Sequence, residues 1–254
     1  MKIGIITDIH ENTRLLEEAL RMMSANGCDE LACLGDIVGY DSRFYKYDDY
    51  RSAKDCLRLI RSNCKWVTSG NHDINAARIF PSYSNGFSYP ENWYDLDPAQ
   101  RKNISSGKVW CYEGESSNDL TEDDIHYLQK IPEYIIPADP GLKFLFTHYF
   151  APDFTGSTTT YIERGSQLKQ HWQTMSEKGA RISFSGHCHS HFTGFAYKST
   201  GSYSKAIHSF SGNEFNLGRE MVAVILPPLS GEKGRRGFAV LDTDYLVMNI
   251  FTSL

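Results

Sequence analysis

The sequence predicts an α/β protein, because short apolar runs alternate with stretches of helical periodicity through the first half of the chain. Residues 3–7, 30–34 and 65–68 are apolar runs of strand length. Strands separated by helices favour parallel pairing through right-handed crossovers. The chain has 254 residues and 41% hydrophobic content, which is enough for one sizeable core. We therefore expect residues 1–254 to form a single domain.

The helices between these strands are predicted from one-sided apolar stripes. Residues 13–25 place leucine, alanine and methionine on one stripe, and Gly27 follows the end of that helix. Residues 48–61 repeat the pattern. Three further helices are expected at 97–105, 121–130 and 164–178. Two later apolar runs, 142–146 and 181–184, read as strands, and each leads into a histidine motif.

The last part of the chain lacks helical periodicity. Its apolar runs alternate with turn residues, as is typical of antiparallel strands joined by turns. Five such strands are expected at 192–197, 205–210, 221–226, 237–241 and 245–251.

The composition excludes several classes of protein. No run approaches the roughly 18 apolar residues that a membrane-spanning helix needs. The apolar start, 1–6, is too short for a signal peptide, and the six cysteines form no paired framework, so we expect a cytoplasmic protein with free thiols. The net charge of −5 argues against binding extended nucleic acid. A small phosphorylated ligand stays compatible, since bound metals would supply positive charge.

Five short polar motifs stand in order along the chain, and most directly follow an apolar run. They are Asp8-Ile9-His10, Gly35-Asp36, Gly70-Asn71-His72-Asp73, His148 and Gly186-His187-Cys188-His189. Open α/β sheets bind ligands beyond the carboxyl ends of their strands. Side chains at i and i+2 of a strand point the same way, so Asp8 and His10 are expected to converge on one point, as are His187 and His189.

The residue types in these motifs are those that hold divalent metals. Carboxylate, imidazole and amide ligands together suit Mn, Fe, Zn, Ni or Co. A carboxylate such as Asp36 can bridge two ions, and two ions about 3.5–4 Å apart can drive phosphoryl displacement. The glycines Gly35, Gly70 and Gly186 fit tight turns between strand and site.

In order and spelling, the motifs between Asp8 and His191 resemble those of calcineurin-like metallophosphoesterases. The resemblance implies a four-layer αββα sandwich of two mixed sheets, two transition-metal ions and an attacking hydroxide that bridges them. Matched by motif, the first ion would be held by Asp8, His10 and His189, the second by Asn71, His148 and His187, and both by Asp36. His72 matches the general acid that protonates the leaving group, a role suited to a histidine pKa of about 6.5.

The sequence departs from the phosphoprotein phosphatase branch of this superfamily. That branch carries GDxVDRG and RGNHE, whereas this chain has GDIVGY over 35–40 and SGNHD over 69–73. Both phosphate-binding arginines and the aspartate that orients the catalytic histidine are therefore missing, which argues against protein phosphatase activity. The GDIVGY stretch is closer to small bacterial phosphodiesterases. Asp41 and Asp73 are both candidates for orienting His72.

An aromatic-rich segment, 79–112, interrupts the alternation of strands and helices. It contains Phe80, Tyr83, Phe87, Tyr89, Trp93, Tyr94, Trp110 and Tyr112. Two interpretations stay open: a satellite hydrophobic cluster, or a lid over the metals that stacks a nucleobase. Candidate substrate-binding residues are Tyr40, which we expect to be exposed, and the phosphate-clamp candidates Arg43, Arg78 and Arg164.

The sequence thus predicts a metal-dependent phosphoesterase, with hydrolysis of a phosphodiester or a nucleotide as the leading hypothesis. The alternatives with the same site are a phosphomonoesterase and a dinucleoside polyphosphate hydrolase. A non-catalytic, protein-binding scaffold on the same fold is the alternative from another class. It is disfavoured because His72 and every expected ligand are present. The pattern does not determine an oligomeric state.

Overall fold

The computed structural model describes residues 1–115, 119–139, 141–189, 193–198, 206–218 and 220–252. The strands are β1 (Lys2–Ile6), β2 (Glu30–Cys33), β3 (Trp66–Val67), β4 (Tyr134–Ile135), β5 (Phe144–Thr147), β6 (Ile182–Ser185), β7 (Gly194–Tyr197), β8 (His208–Ser209), β9 (Glu214–Asn216), β10 (Val222–Ile225), β11 (Phe238–Asp242) and β12 (Val247–Phe251). The α-helices are α1 (Thr13–Ala25), α2 (Ala53–Asn63), α3 (Asn71–Ala76), α4 (Pro98–Ser105), α5 (Glu122–Leu128) and α6 (Lys169–Glu177). Short 3₁₀ helices lie at Asp48–Tyr50, Trp93–Asp95 and Gly165–Leu168.

The strands form two six-stranded mixed sheets. The first has the order β3-β2-β1-β11-β12-β9, and the second has the order β4-β5-β6-β10-β7-β8. Strands β1, β2 and β3 pair in parallel, as do β5, β6 and β10. The remaining pairings, such as β1 with β11 and β10 with β7, are antiparallel.

Three hydrophobic clusters explain why the layers stack. Ile3 and Ile5 of β1 face Phe144 and Phe146 of β5, so one cluster fills the space between the sheets. The next residue, Ile6, points to the other face of its strand and packs with α1 and α2. A third cluster joins the second sheet to α6. Helices thus flank two packed sheets, which confirms the predicted αββα sandwich.

Two element predictions need correction. The range 48–61 is not one helix, because Arg51 and Ser52 are extended and the Ser52 side chain caps α2 by accepting from the Asp55 N–H. The tail strands are not purely antiparallel, because β10 pairs in parallel with β6. Strand β11 is antiparallel to its neighbours but pairs with β1 from the first half of the chain as well as with β12. Strands from the tail complete both sheets. A local sequence pattern does not show which sheet each of these strands joins. Residue 192 of the predicted strand 192–197 and residue 205 of the predicted strand 205–210 lie outside the described residues.

Within the ranges described above, no helix is both long enough and apolar enough to cross a membrane.

A buried histidine between α6 and the second sheet should make the free energy of unfolding depend on pH. His171 of α6 is fully buried; its Nδ1 accepts the Ala151 N–H at 3.0 Å, and its Nε2 lies 2.8 Å from the Ser183 hydroxyl. Burial lowers the pKa of His171 to about 3. Between that value and about 6.5, the unfolded chain binds a proton that the folded chain does not. Stability from this group is therefore complete above about pH 6.5 and is lost as the pH falls.

We expect the free energy of unfolding to fall by up to about 2 kcal/mol through His171 between pH 6.5 and pH 5. The His171→Asn variant should lose that part of the pH dependence, although it is less stable at neutral pH. Urea unfolding at pH 7 and pH 5 measures the difference, with exposed His126→Asn as the matched control. Equal pH dependence in His171→Asn and the wild type would contradict the prediction.

Candidate metal centre and its cleft

Parallel strands of both sheets end at one edge, and the motif residues follow these strand ends. Asp8 follows β1, Asp36 follows β2, His148 follows β5 and His187 follows β6. Backbone hydrogen bonds tie the loops together: the His10 N–H donates to the Asp36 carbonyl at 3.0 Å. The motifs, which are scattered along the chain, therefore meet where the two sheets face each other.

The described residues contain two groups of side chains that could each hold a cation. The first group is Asp8, His10, Asp36 and His189, and the second is Asp36, His148 and His187. In each group, the donor atoms lie within 4.8 Å of one another. Asn71 joins the second group, because its Oδ1 lies 2.9 Å from His187 Nδ1. Asp36 belongs to both groups, as a bridging carboxylate would.

Unpaired atoms at the bottom of the site fit a divalent metal. Asp8 Oδ1, Asp36 Oδ2 and His148 Nε2 are buried and have no hydrogen-bond partner, although the last two atoms are only 3.0 Å apart. His10 Nε2 and His189 Nε2 face each other at 3.3 Å. Buried polar atoms without partners are costly and rare. Cations among these oxygens and nitrogens would satisfy them, so the donor set fits two metal ions.

Hydrogen bonds behind the donor atoms fix the orientation of the rings. His148 Nδ1 lies 2.7 Å from the Leu34 carbonyl, and His10 Nδ1 lies 3.1 Å from the Gly39 carbonyl. A carbonyl oxygen only accepts, so each Nδ1 donates its proton, and the neutral form of each ring then presents the lone pair of Nε2 to the site. Such outer contacts are the usual support of metal-binding histidines.

The charges in the site favour an ionised bridge. Burial alone would raise the pKa of Asp36, but His148 and His72 outweigh it and hold that pKa well below its usual range. Burial lowers the pKa of His10 and of His187 well below the usual histidine value, and neighbouring histidines add to the effect. Burial alone would lower the pKa of His148, but Asp36 outweighs it and raises that pKa to about 9, so a cation must displace this proton. An anionic Asp36 beside neutral His10 and His187 already matches the protonation state that metal binding requires.

The backbone explains why the strand-parity prediction was only half right. Asp8 and His10 have φ values of 54° and 47°, and His187 and His189 have 64° and 48°. All four therefore lie beyond their strands in left-handed conformation, where alternation along a strand no longer applies. Asp8 and His10 do fall into one group, but His187 and His189 fall into different groups. Residues held in such unfavourable conformations cluster at functional sites.

The motif glycines allow neighbouring groups to approach the backbone closely, in addition to allowing tight turns. Gly35 has a φ of 92°, as expected of a tight turn. Gly70 has an ordinary φ of −96°, but a Cβ there would lie 2.1 Å from Asp36 Oδ1. The prediction of a turn is therefore correct for Gly35, whereas Gly70 is required because the Asp36 carboxylate passes against its backbone.

His72 lies in the first turn of α3, beside the two groups but in neither. Its Nε2 is 3.9 Å from Asp36 Oδ2, and its Nδ1 is 2.5 Å from Glu115 Oε1. Burial by itself would lower the pKa of His72, but Glu115 and Asp36 outweigh it and raise that pKa to about 10. Before any cation is bound, His72 is therefore protonated at neutral pH.

Neither aspartate considered for orienting His72 does so. Asp73 accepts the N–H groups of Ile37 and Gly70, each at 3.0 Å, and thereby joins the second motif to the third. Asp41 pairs with the guanidinium of Arg43 at 2.5 Å. The carboxylate that contacts His72 belongs to Glu115. Sequence reasoning did not identify this residue, because it lies in an irregular stretch without a motif.

The candidate substrate-binding residues differ in where they lie. Tyr40 is buried, contrary to expectation, and its hydroxyl donates to Asp48 at 2.8 Å because it is packed beneath the loop that follows. Arg43 is half exposed and lines the cleft described below. Arg78 pairs with Asp95 instead, and the exposed Arg164 precedes a 3₁₀ helix. Neither of these two arginines lines the cleft.

The two candidate metal-binding groups open into a cleft of about 1430 Å³. Aromatic side chains line part of its wall, namely Tyr45, Tyr47, Trp110, Tyr112 and Tyr161. Each interpretation of segment 79–112 applies to a different set of its residues. Phe87 and Tyr89 pack edge-on against the buried Trp93 in a satellite cluster, whereas Trp110 and Tyr112 face the cleft. Stacking of a nucleobase on this wall stays a prediction.

Comparison with known proteins gives a family and a fold. A family model described as calcineurin-like phosphoesterase matches residues 1–191, which is most of the chain. An uncharacterized protein of Methanocaldococcus jannaschii is 39% identical over 72 residues, a match that covers 28% of this chain and 26% of that protein. The chain thus matches about a quarter of the length of this curated relative.

Two solved structures share the architecture over nearly the whole chain. A metallophosphoesterase from Sphaerobacter thermophilus superposes with a TM-score of 0.68 at 18% identity, covering 100% of this chain and 88% of that one. A hypothetical protein from Pyrococcus horikoshii OT3 gives 0.59 at 14% identity, with coverages of 99% and 87%. Identities this low establish a shared fold and leave activity to be argued from the site.

Proposed function

The chain belongs to the calcineurin-like phosphoesterase family, as its motifs predicted, and we propose that it hydrolyses phosphodiesters or nucleotides at a two-metal centre. The observation that carries this proposal is the sharing of Asp36 between two donor groups, in which the buried atoms Asp8 Oδ1, Asp36 Oδ2 and His148 Nε2 lack hydrogen-bond partners. We assign Asp8, His10 and His189 to one divalent transition-metal ion and Asn71, His148 and His187 to the other. Mn, Fe, Zn and Ni all suit such mixed ligands.

When bound, two such ions supply Lewis acidity, which activates water and stabilises negative charge on the phosphoryl oxygens. The chain supplies the proton transfer. The attacking water loses one proton to solvent as its oxygen forms a new bond to phosphorus, and the bond from phosphorus to the leaving oxygen breaks with its electron pair on that oxygen. His72 Nε2 faces the cleft from beside both groups and donates the proton that the leaving oxygen takes.

The size of the cleft favours a diester over a monoester, because a diester carries a second substituent. Arg43 lines the cleft, but its guanidinium is paired with Asp41 at 2.5 Å and lies 3.9 Å from Glu113, so we assign it no phosphate. The cleft of about 1430 Å³ exceeds the roughly 300–1,000 Å³ of ordinary ligand sites, and it leaves room for both ester substituents.

The proposed substrate is a small phosphorylated molecule. The acidic balance of the chain does not favour extended nucleic acid.

The proposal is tested by turnover on metal-stripped protein reconstituted with Mn²⁺. We expect metal-dependent cleavage of bis(p-nitrophenyl) phosphate with a higher kcat/KM than that of p-nitrophenyl phosphate. The stripped protein should cleave neither compound. Preference for the monoester would replace the diester proposal with phosphomonoesterase activity. Cleavage of neither compound with metal bound would leave dinucleoside polyphosphates as the next substrates to assay.

A further inference from the structure

We propose that Glu115 is the residue that positions His72 for proton transfer to the leaving oxygen. The inference rests on the proposed phosphoesterase function and adds a residue that lies outside all five sequence motifs.

Contact between the two side chains is direct and largely shielded from solvent. Glu115 Oε1 lies 2.5 Å from His72 Nδ1, and the side chains are 10% and 22% exposed, respectively. Among the described residues, Nδ1 has no partner in hydrogen-bond geometry, so the contact is an ion pair, and a carboxylate at this distance favours the proton on the nearer ring nitrogen, Nδ1. The other ring nitrogen, Nε2, is then directed toward Asp36 Oδ2 at 3.9 Å. The contact therefore fixes which nitrogen faces the reacting phosphorus and leaves it able to carry the transferable proton.

Glu115 is itself held in place from two sides. Its Oε2 accepts from Asn75 Nδ2 at 3.3 Å, one turn further along the helix that begins with the catalytic motif. Its backbone forms an antiparallel bridge with Asp41. At the preceding residue, a Cβ on Gly114 would lie 2.5 Å from Asp41 Oδ2, so the two segments pack closely.

Two aromatic rings and the Gly39 backbone also surround the His72 ring and restrict its rotation; a Cβ on Gly39 would lie 2.5 Å from His72 Nδ1. Tyr112 packs edge-on against the ring with a centroid distance of 5.3 Å, and His10 does so at 4.8 Å. Neither contact selects one ring nitrogen over the other in the way that a carboxylate does. Glu115 is the group in contact with Nδ1, so the ring should lose its fixed orientation when that carboxylate is removed.

A positioning role predicts that the effect depends on the leaving group. The Glu115→Gln variant keeps the size of the side chain but loses the carboxylate. With diphenyl phosphate, whose phenolate leaves poorly without a proton, we expect kcat to fall roughly 10- to 100-fold. With bis(p-nitrophenyl) phosphate, whose leaving group needs little protonation, kcat should change by less than about threefold. Manganese content should stay at the wild-type level.

Two further variants separate positioning from a general loss of structure. Glu115→Asp keeps the carboxylate and should restore part of the activity toward diphenyl phosphate. Glu91→Gln makes the same chemical change at an exposed site in the aromatic segment and should match the wild type on both substrates.

Equal losses on both diesters, or wild-type activity of Glu115→Gln on diphenyl phosphate, would overturn the inference. A wild-type protein that binds manganese but cleaves neither diester would instead remove the proposed function, so the two failures are distinguishable.

Discussion

Asp36→Asn is expected to abolish most turnover and to leave the protein with fewer than two metal ions per chain. Asp36 is fully buried, and its Oδ2 lies 3.0 Å from His148 Nε2 and 3.9 Å from His10 Nε2. Asparagine has nearly the same shape but lacks the negative charge that would offset two dications. Metal catalysis contributes several kcal/mol to transition-state stabilisation, so we expect kcat to fall roughly a thousandfold or more.

Metal analysis beside kinetics measures both consequences of Asp36→Asn. The Asp123→Asn variant is the matched control, because Asp123 is exposed on α5. It should retain two ions and full turnover. The asparagine keeps an oxygen that can accept the backbone N–H of His72, a hydrogen bond that is 3.0 Å long in the wild type, so we expect the variant to fold. Circular dichroism checks that it does. Two ions at full occupancy in Asp36→Asn would show that Asp36 is not the essential bridge.

His72→Ala is expected to lower kcat by about 10²–10⁴-fold while leaving the metal content unchanged. His72 lies beside the donor groups without belonging to either, so its removal takes away a proton donor and no ligand. The loss should be largest for esters with poor leaving groups. Exposed His126→Ala serves as the control for removal of a histidine and should behave as the wild type does.

Turnover and metal analysis on the same His72→Ala preparation decide the assignment. Unchanged turnover with two ions bound would show that another group donates the proton. Loss of an ion together with activity would place His72 among the ligands instead.

The elements that the sequence predicted well are those with strong local patterns. Helix α1 spans Thr13–Ala25, as its apolar stripe and the following Gly27 indicated. The candidate metal-binding motifs were recognisable because most of them follow a predicted strand. Since these strands end at one edge of the sheets, motifs that are far apart in the sequence lie close together in space. The grouping of His187 and His189 into different sets was not derivable from strand alternation, since both residues have left-handed backbones.

The features that sequence reasoning missed depend on long-range packing. Glu115 contacts His72 from the end of an irregular segment, and no periodicity or motif connects the two. Tyr40 follows a motif and looked exposed, but its ring is buried and its hydroxyl is bonded to Asp48. The parallel pairing of β10 with β6 depends on which sheet the tail reaches, and local apolar patterns do not encode that choice. The single-domain organisation, the ligand assignments and a cytoplasmic location stay predictions.

The most direct test of the two-metal centre is to locate manganese by anomalous diffraction from crystals of the reconstituted protein. We predict two peaks about 3.5–4 Å apart, one among Asp8, His10 and His189 and the other among Asn71, His148 and His187, with Asp36 between them. A single peak, or peaks that do not share Asp36, would contradict the two-metal centre and return the non-catalytic scaffold to consideration.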